Sequence, residues 1–234
     1  MRLSAMADLH QEHVKNNSIN ENTPDEYLAL LAEHEWEHRE NLRIARLIKQ
    51  AKFGQKASVE EVDYVSVRNL DKNSFSRLAT LEFMKSKENL IVTGASGVGK
   101  SYLGQALGHQ ACIKGYKVLY SNTARLFTKF KLAKVDGTYI KELQKLQKIN
   151  LLILDDFGLQ AFDNNARDVL MDIIDDRFNK MSTIVSSQLP VSLWYDIIGE
   201  GTIADAILDR LVNSSHRINL NGESLRKGFL NKQQ

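Results

Sequence analysis

The feature that most constrains this chain is an unbroken run: Gly94, Ala95, Ser96, Gly97, Val98, Gly99, Lys100 and Ser101. It fits G-x-x-x-x-G-K-[ST], in which glycines keep Cβ atoms clear so that backbone N–H groups can converge on phosphate oxygens. In such a loop the lysine reaches the β- and γ-phosphates and the following hydroxyl can ligand Mg²⁺. Those residues are Lys100 and Ser101 here, and Tyr102 completes the nucleotide-binding segment. The setting separates it from a glycine-rich turn that holds no ligand. Residues 89–93 read as a short buried strand and 101–114 as a helix. The positive end of that helix dipole then faces the phosphates.

From residue 88 onward, apolar β-type runs alternate with helical segments. Strands are predicted at 90–93, 117–121, 150–155, 182–187 and 216–220. Helices are predicted at 99–114, 123–134, 165–179 and 202–214. This alternation predicts an α/β fold, with a five-stranded parallel sheet flanked by helices on both faces. We therefore read 88–234 as the nucleotide-binding domain and 1–87 as a small helical N-terminal domain with a linker.

In that first region Thr23, Pro24, Asp25 and Glu26 form a helix start: a cap, proline at the first helical position, and acids in the first turn. No Gly or Pro follows from 27 to 53. The spacing of Leu28, Leu31, Trp36, Leu42, Ile44, Leu47 and Ile48 suggests one amphipathic helix or a broken pair. Arg39, Arg43, Arg46, Lys49 and Lys52 share a face, which is either solvated or a surface for a partner or DNA.

Composition narrows the function classes. A net charge of +2 identifies no partner, so any nucleic-acid argument must rest on local clusters. The single cysteine, Cys112, cannot form an internal disulfide. With no signal-like N-terminus, a reducing, cytoplasmic location is expected. No apolar run approaches the ~20 residues that cross a bilayer, so no membrane partner is expected.

A second chemical signal is Leu151, Leu152, Ile153 and Leu154 running into Asp155 and Asp156. This describes a buried strand that delivers two carboxylates to the C-terminal edge of the sheet, where open α/β sheets bind ligands. Asp155 is the candidate for the Mg²⁺ shell, and Asp156 for orienting or deprotonating the attacking water. The interval from Lys100 to Asp155 holds one complete strand–helix unit, so a further strand can lie between the two motif strands. That is the additional-strand arrangement of P-loop ATPases. No Asn-Lys-x-Asp motif is present, which favours ATP over GTP.

Ser187 or Gln188, at the end of the fourth strand, can hydrogen-bond the γ-phosphate or the lytic water; the alternative is a polar strand cap ahead of Pro190. Arg210 lies on an amphipathic helix after that strand and can act as an arginine finger toward a neighbouring subunit, with Arg217 and Arg226 as competitors. A salt-bridged role is the plainer reading of a helical arginine. Arg125, Lys129, Lys131 and Lys134 share one predicted helix, and Lys141, Lys145 and Lys148 follow. In sequence only Asp136 and Glu142 oppose them. The stretch reads as a DNA phosphate-contact surface or as a solvated lysine-rich face.

Taken together, these motifs resemble the AAA+ ATPases of the IstB/DnaC type, over nearly the whole chain. The resemblance rests on residues 94–101, 151–158 (LLILDDFG), 187–190 (SQLP), 204–211 (ADAILDRL) and 222–226 (GESLR). The last three are more similar to IstB than to the helicase loader DnaC. The front is similar to IstB in 26–31, Glu35, Arg39 and 49–53. The resemblance implies an ATPase that uses ATP and Mg²⁺, with nucleotide at the subunit interfaces of a homo-oligomer. It further implies assembly on target duplex DNA and recruitment or stimulation of a transposase. Lys100, Asp156, Gln188 and Arg210 are then the catalytic set, with Arg210 as the finger. A DnaC-like replicative helicase loader is the alternative, and a scaffold that binds nucleotide without hydrolysis a third reading.

Departures from the family pattern carry their own expectations. Asp156 stands where many AAA+ proteins have glutamate. It is one methylene shorter, which implies slow, DNA-stimulated hydrolysis. The chain ends soon after the fifth strand, so no lid domain is expected, and Arg226 is the sensor-two candidate. The family's usual lead-in before Met1 is longer.

Overall fold

The computed structural model describes residues 3–64 and 68–225. The chain packs as two compact units, Met1–Leu47 and Ile48–Gln234. This division lies well ahead of the compositional boundary near residue 87.

The first unit contains α1 (Ser4–Lys15) and most of α2 (Pro24–Ala51). The helix start at Thr23 is a capping box. Glu26 Oε2 accepts from Thr23 N–H at 2.8 Å, and Glu26 N–H donates back to Thr23 Oγ1 at 3.4 Å. These bonds hold the Glu26 carboxyl below its usual range, the Thr23 backbone contributing most. With no Gly or Pro to interrupt it, α2 runs unbroken for 28 residues rather than as a pair. Glu35 on α2 is buried and anchors α1. It accepts from Met6 N–H at 3.1 Å and from Arg39 Nε at 2.7 Å. The Met6 N–H lies in the first turn of α1, where donors have no intrahelical partner.

The second unit begins with α3 (Lys72–Ala79) and α4 (Glu82–Lys85). There follow β1 (Asn89–Gly94), α5 (Lys100–Ile113), β2 (Val118–Asn122), α6 (Thr123–Val135), α7 (Tyr139–Leu146) and β3 (Leu151–Phe157). Then come α8 (Asn164–Arg177), β4 (Ser182–Ser187), α9 (Trp194–Ile198), α10 (Gly201–Val212) and β5 (Ser215–Leu220). All strand pairs are parallel, in the order β2-β3-β4-β1-β5. Thus β4 lies between the loop strand and the Asp strand, as the motif spacing predicts. The inner strands β1, β3 and β4 are buried almost throughout, as expected of strands covered on both faces, although β4 carries four hydroxyl residues, Ser182, Thr183, Ser186 and Ser187.

Small residues bring α5 close to the sheet. A Cβ on Gly108 would lie 2.7 Å from Ile153 Cδ1 and 2.8 Å from the Phe53 ring. The other face is filled by a cluster from α6, α8, α9 and α10, with Phe130, Phe157 and Trp194 at its centre. Residues 54–58, which the sequence reading groups with the N-terminal 1–87, are tied to α5. Gln105 Oε1 accepts from the N–H groups of Gly54 and Gln55 at 2.7 and 3.1 Å, and Tyr102 OH donates to Ser58 O at 3.3 Å. These long-range bonds leave no periodic trace, which is why the packing boundary is invisible to composition.

Candidate nucleotide-binding site

Parallel pairing sends the C-terminal ends of all five strands to one edge. The loop after β1, the carboxylates of β3 and the end of β4 therefore converge. Two positions show why the loop needs glycine. Gly94 has φ +145°, and a Cβ there would lie 2.3 Å from Leu220 O on β5. Gly99 has φ +98° and begins α5 as its cap. Lys100 is buried at the mouth of the helix, with Nζ donating to Ala95 O at 2.7 Å.

A cleft of about 910 Å³ opens here, lined among others by Lys100, Ser101, Tyr102, Asp155, Asp156 and Gln188. Ser96, Gly97 and Gly99 form its floor, while Gly94 and Ala95 line a neighbouring cavity that also touches Gln188. Val98 points inward and is fully buried. The structure thus gathers the residues predicted for ATP.

Asp155 is held by two hydroxyls. Ser101 Oγ donates to Oδ1 at 2.9 Å and Tyr120 OH donates to Oδ2 at 2.6 Å. Burial, then the carboxylate beside it, pushes the Tyr120 hydroxyl well above the usual phenol range. Ser101 and Asp155 offer hard oxygens 2.9 Å apart. They fit Mg²⁺, which uses one or two protein ligands and takes the rest from phosphate and water. Among the described residues no group of three His, Cys, Asp or Glu is placed to hold a metal by itself.

Asp156 departs from regular strand geometry. Its φ is +54°, and the β3–β4 register shifts between Leu154 and Phe157. Such an irregularity re-aims a side chain. Asp156 Oδ2 accepts from Asn122 Nδ2, at the end of β2, at 3.0 Å. Of the two candidates after β4, Ser187 is used within the sheet: its Oγ donates to Phe157 O at 2.7 Å and accepts from Leu189 N–H at 3.1 Å. Gln188 is the one that lines the cleft.

Arg210 stands elsewhere. On α10, its Nε lies 3.1 Å from Asp175 Oδ1, and its guanidinium sits 5.8 Å from the Phe178 ring. Its carbonyl accepts from Asn89 Nδ2 at 3.3 Å, at the start of β1. Five strand steps of ~3.3 Å separate that start from Gly94, so the Arg210 backbone lies by the opposite end of β1 from its own loop. Arg217 is exposed on the edge strand β5. Arg226 lies outside the described residues.

The basic helix α6 is less bare than its sequence implies. Lys129 pairs with Glu142, Lys131 with Asp163 at 3.9 Å, and Lys134 with Asp168 at 3.7 Å. Sequence counting sees only Asp136 and Glu142, but α8 packs beside α6 and brings its own acids. Arg125 is exposed and has no ion pair among the described residues.

Residues that escaped the sequence reading include Tyr120 and Arg68, which line the cleft, and Asn122, which bonds Asp156. Only Asn122 left a signal, as an Asn directly before a helical run.

Comparison with known proteins gives a consistent picture. The model of the IstB-like ATP binding protein family matches residues 1–233. The insertion-sequence ATP-binding protein y4pL of Sinorhizobium fredii is 45% identical over 227 residues, 97% of this chain and 93% of that protein. The ATP-binding protein of insertion sequence IS1162 from Pseudomonas fluorescens is 42% identical over 193 residues, 82% of this chain and 84% of that protein. Among solved structures, DnaI aligns with a TM-score of 0.58 at 24% identity, covering 75% of this chain and 93% of that one. The DnaC helicase loader aligns at 0.54 and 21%, covering 68% and 94%. At these identities the structural likeness speaks for the fold. No described helix is long and apolar enough to cross a membrane.

Proposed function

The chain belongs to the IstB-like ATP binding protein family and is an ATPase of the AAA+ fold; on that premise we propose that it is an ATP-dependent helper of insertion-sequence transposition. In this reading it assembles on target duplex DNA as a homo-oligomer and recruits or stimulates a transposase. The observation that carries the ATPase part is the convergence of Lys100, Ser101, Asp155 and Asp156 in one cleft. The transposition part is supported by relatives at 42–45% identity whose names place them in insertion sequences. The helicase-loader alternative rests on fold likeness alone.

The residues divide the work as follows. Loop N–H groups and Lys100 hold the phosphates. Ser101 and Asp155 would hold Mg²⁺, which would neutralise phosphate charge. Asp156 orients the water and accepts its proton. Gln188 reaches toward the γ-phosphate from the end of β4. Arg210 is too far from its own loop to serve it, so any finger role is in trans. Arg125, Lys129, Lys131 and Lys134 contact DNA phosphates.

Gel-shift titrations with duplex and single-stranded oligonucleotides, in ATP and in ADP, test this. We expect ATP-dependent duplex binding that Lys100→Ala abolishes. Asp156→Asn keeps ATP binding and duplex binding and loses turnover. Preference for single strands in the presence of ATP would replace this reading with a helicase loader.

A further inference from the structure

We propose that Arg68 is a second cation of the cleft in cis, and that it contacts the nucleoside end of the bound nucleotide, at the α-phosphate and ribose. The proposal rests on the ATP reading above and adds a residue that no motif contains.

Arg68 is only 3% exposed, yet it lines the same cleft as Lys100 and Asp155. Its Nη1 donates to Val98 O, in the phosphate loop, at 3.3 Å, and its Nη2 donates to Asp63 O. Both partners are neutral carbonyls. Its Nε is buried with no hydrogen-bond partner, and no carboxylate lies within ion-pair distance among the described residues. Burial holds its pKa below the usual arginine value, and the more distant charge of Asp63 offsets only part of that, so the environment disfavours the charge the residue carries. A buried charge is costly unless something pairs with it. An anionic ligand in the cleft supplies the missing partner. The loop is also shaped around this arginine, since a Cβ on Gly99 would come within 2.6 Å of Nη1.

Its position along the ligand follows from sheet order. Arg68 O accepts from Asn221 N–H at 3.0 Å, one residue beyond β5. The strand order places β5 on one side of β1, with β4 and then β3 on the other. Three strand spacings of ~4.8 Å separate the β5 flank from the β3 flank, ~14 Å in all. Asp155 and Asp156, which address the γ-phosphate and its metal, occupy the β3 flank. A nucleotide whose γ-phosphate lies there extends its α-phosphate and ribose toward Arg68. A planar, five-donor guanidinium suits that end, because it can bond a phosphate oxygen and a ribose hydroxyl together.

Titration calorimetry with ATP, ADP and inorganic triphosphate on the full chain tests this, using the parent, Arg68→Gln, Arg68→Lys and Lys100→Ala. We expect Arg68→Gln to weaken ATP and ADP about tenfold or more, the scale of a charge-assisted contact. Inorganic triphosphate keeps a phosphate in the α position but has no ribose, so it should weaken distinctly less than ATP does. Arg68→Lys should fall between. Lys100→Ala should weaken all three ligands. The proposal is overturned if Arg68→Gln binds ATP like the parent. It is equally overturned if ATP and inorganic triphosphate weaken in the same proportion, which marks Arg68 as a structural prop of the loop. Should Arg68→Gln fail to fold, the same ratio measured on Arg68→Lys decides. A parent protein that binds no ATP refutes the nucleotide reading itself, a separate outcome.

Discussion

Asn122 Nδ2 donates to Asp156 Oδ2 at 3.0 Å, while Asn122 Oδ1 accepts the Arg125 N–H at 3.3 Å and so caps α6. One side-chain amide thus joins the start of the basic helix to the carboxylate assigned to hydrolysis. The donated bond occupies a lone pair that a base needs. Anything that shifts the N-terminus of α6 pulls on the same amide.

Asn122→Ala should therefore raise DNA-free ATP turnover severalfold and shrink the ratio of DNA-stimulated to basal turnover. The lost cap should cost about 1 kcal/mol of stability. Asn122→Asp keeps the cap but loses the amide donor, so it should share the altered ratio without the loss of stability. A coupled ATPase assay with and without duplex, alongside thermal melts, separates the effects. An unchanged stimulation ratio in Asn122→Ala would show that α6 and Asp156 are uncoupled.

The acids of α8 compete with DNA phosphates for the lysines of α6. Asp163→Asn with Asp168→Asn should tighten binding to unrelated duplexes severalfold and steepen the salt dependence, by about 0.9 log–log units for each further phosphate that the freed lysines neutralise. Stability should change little, since surface ion pairs of this kind stabilise weakly. Asp163 also caps α8 by accepting from Ala166 N–H at 2.7 Å, and Asn caps equally well. If the double variant binds DNA like the parent in filter-binding titrations, the DNA surface lies elsewhere.

Arg210→Ala breaks a contact to Asp175 within the subunit as well as any contact in trans. Nucleotide binding should persist, because the loop is in cis. Turnover of the assembled protein should fall by roughly 10³ or more, the scale of trans arginines in phosphoryl transfer. Mixing Arg210→Ala with Asp156→Asn subunits should restore part of it, since each supplies what the other lacks. Asp175→Asn removes the in-cis partner alone and should retain turnover. Equal loss in Asp175→Asn, measured in the same assay, would make Arg210 a structural residue.

Cys112 is fully buried, and burial pushes its thiol up to about 12. A raised pKa means that the folded state keeps a proton which the unfolded chain releases near 9.0. The associated stability is complete below that pH and is lost as pH rises toward about 12, at most ~1.4 kcal/mol per pH unit for one proton. Urea midpoints of Cys112→Ala should therefore decline less between pH 8.5 and 10 than those of the parent. The native thiol should also resist disulfide reagents at pH 8 until urea is added. Parallel decline of the two proteins would assign the alkaline loss to other groups.

Features that depend on local order are readable along the chain. Three glycines, Lys100 and Ser101 between an apolar run and a helical one specify the loop, because its conformation is a matter of backbone sterics over a few residues. The five strands are legible from short apolar runs, and the inserted strand from the distance between Lys100 and Asp155. Asp155 and Asp156 are legible because a buried strand must end where its side chains turn polar. Tertiary structure decided what depends on elements far apart in the chain. Ser187 and Gln188 are equivalent in sequence, and only the partner Phe157 O on β3 assigns Ser187 to the sheet and leaves Gln188 to the cleft. The lysines of α6 look uncompensated until α8 is laid beside them. Tyr120 and Arg68 carry no motif at all. They matter because a sheet order and a segment 30 residues upstream of Val98 bring a hydroxyl and a guanidinium to the loop. Hydrogen bonds and charge act over ångströms of space, and periodicity reports only distance along the chain.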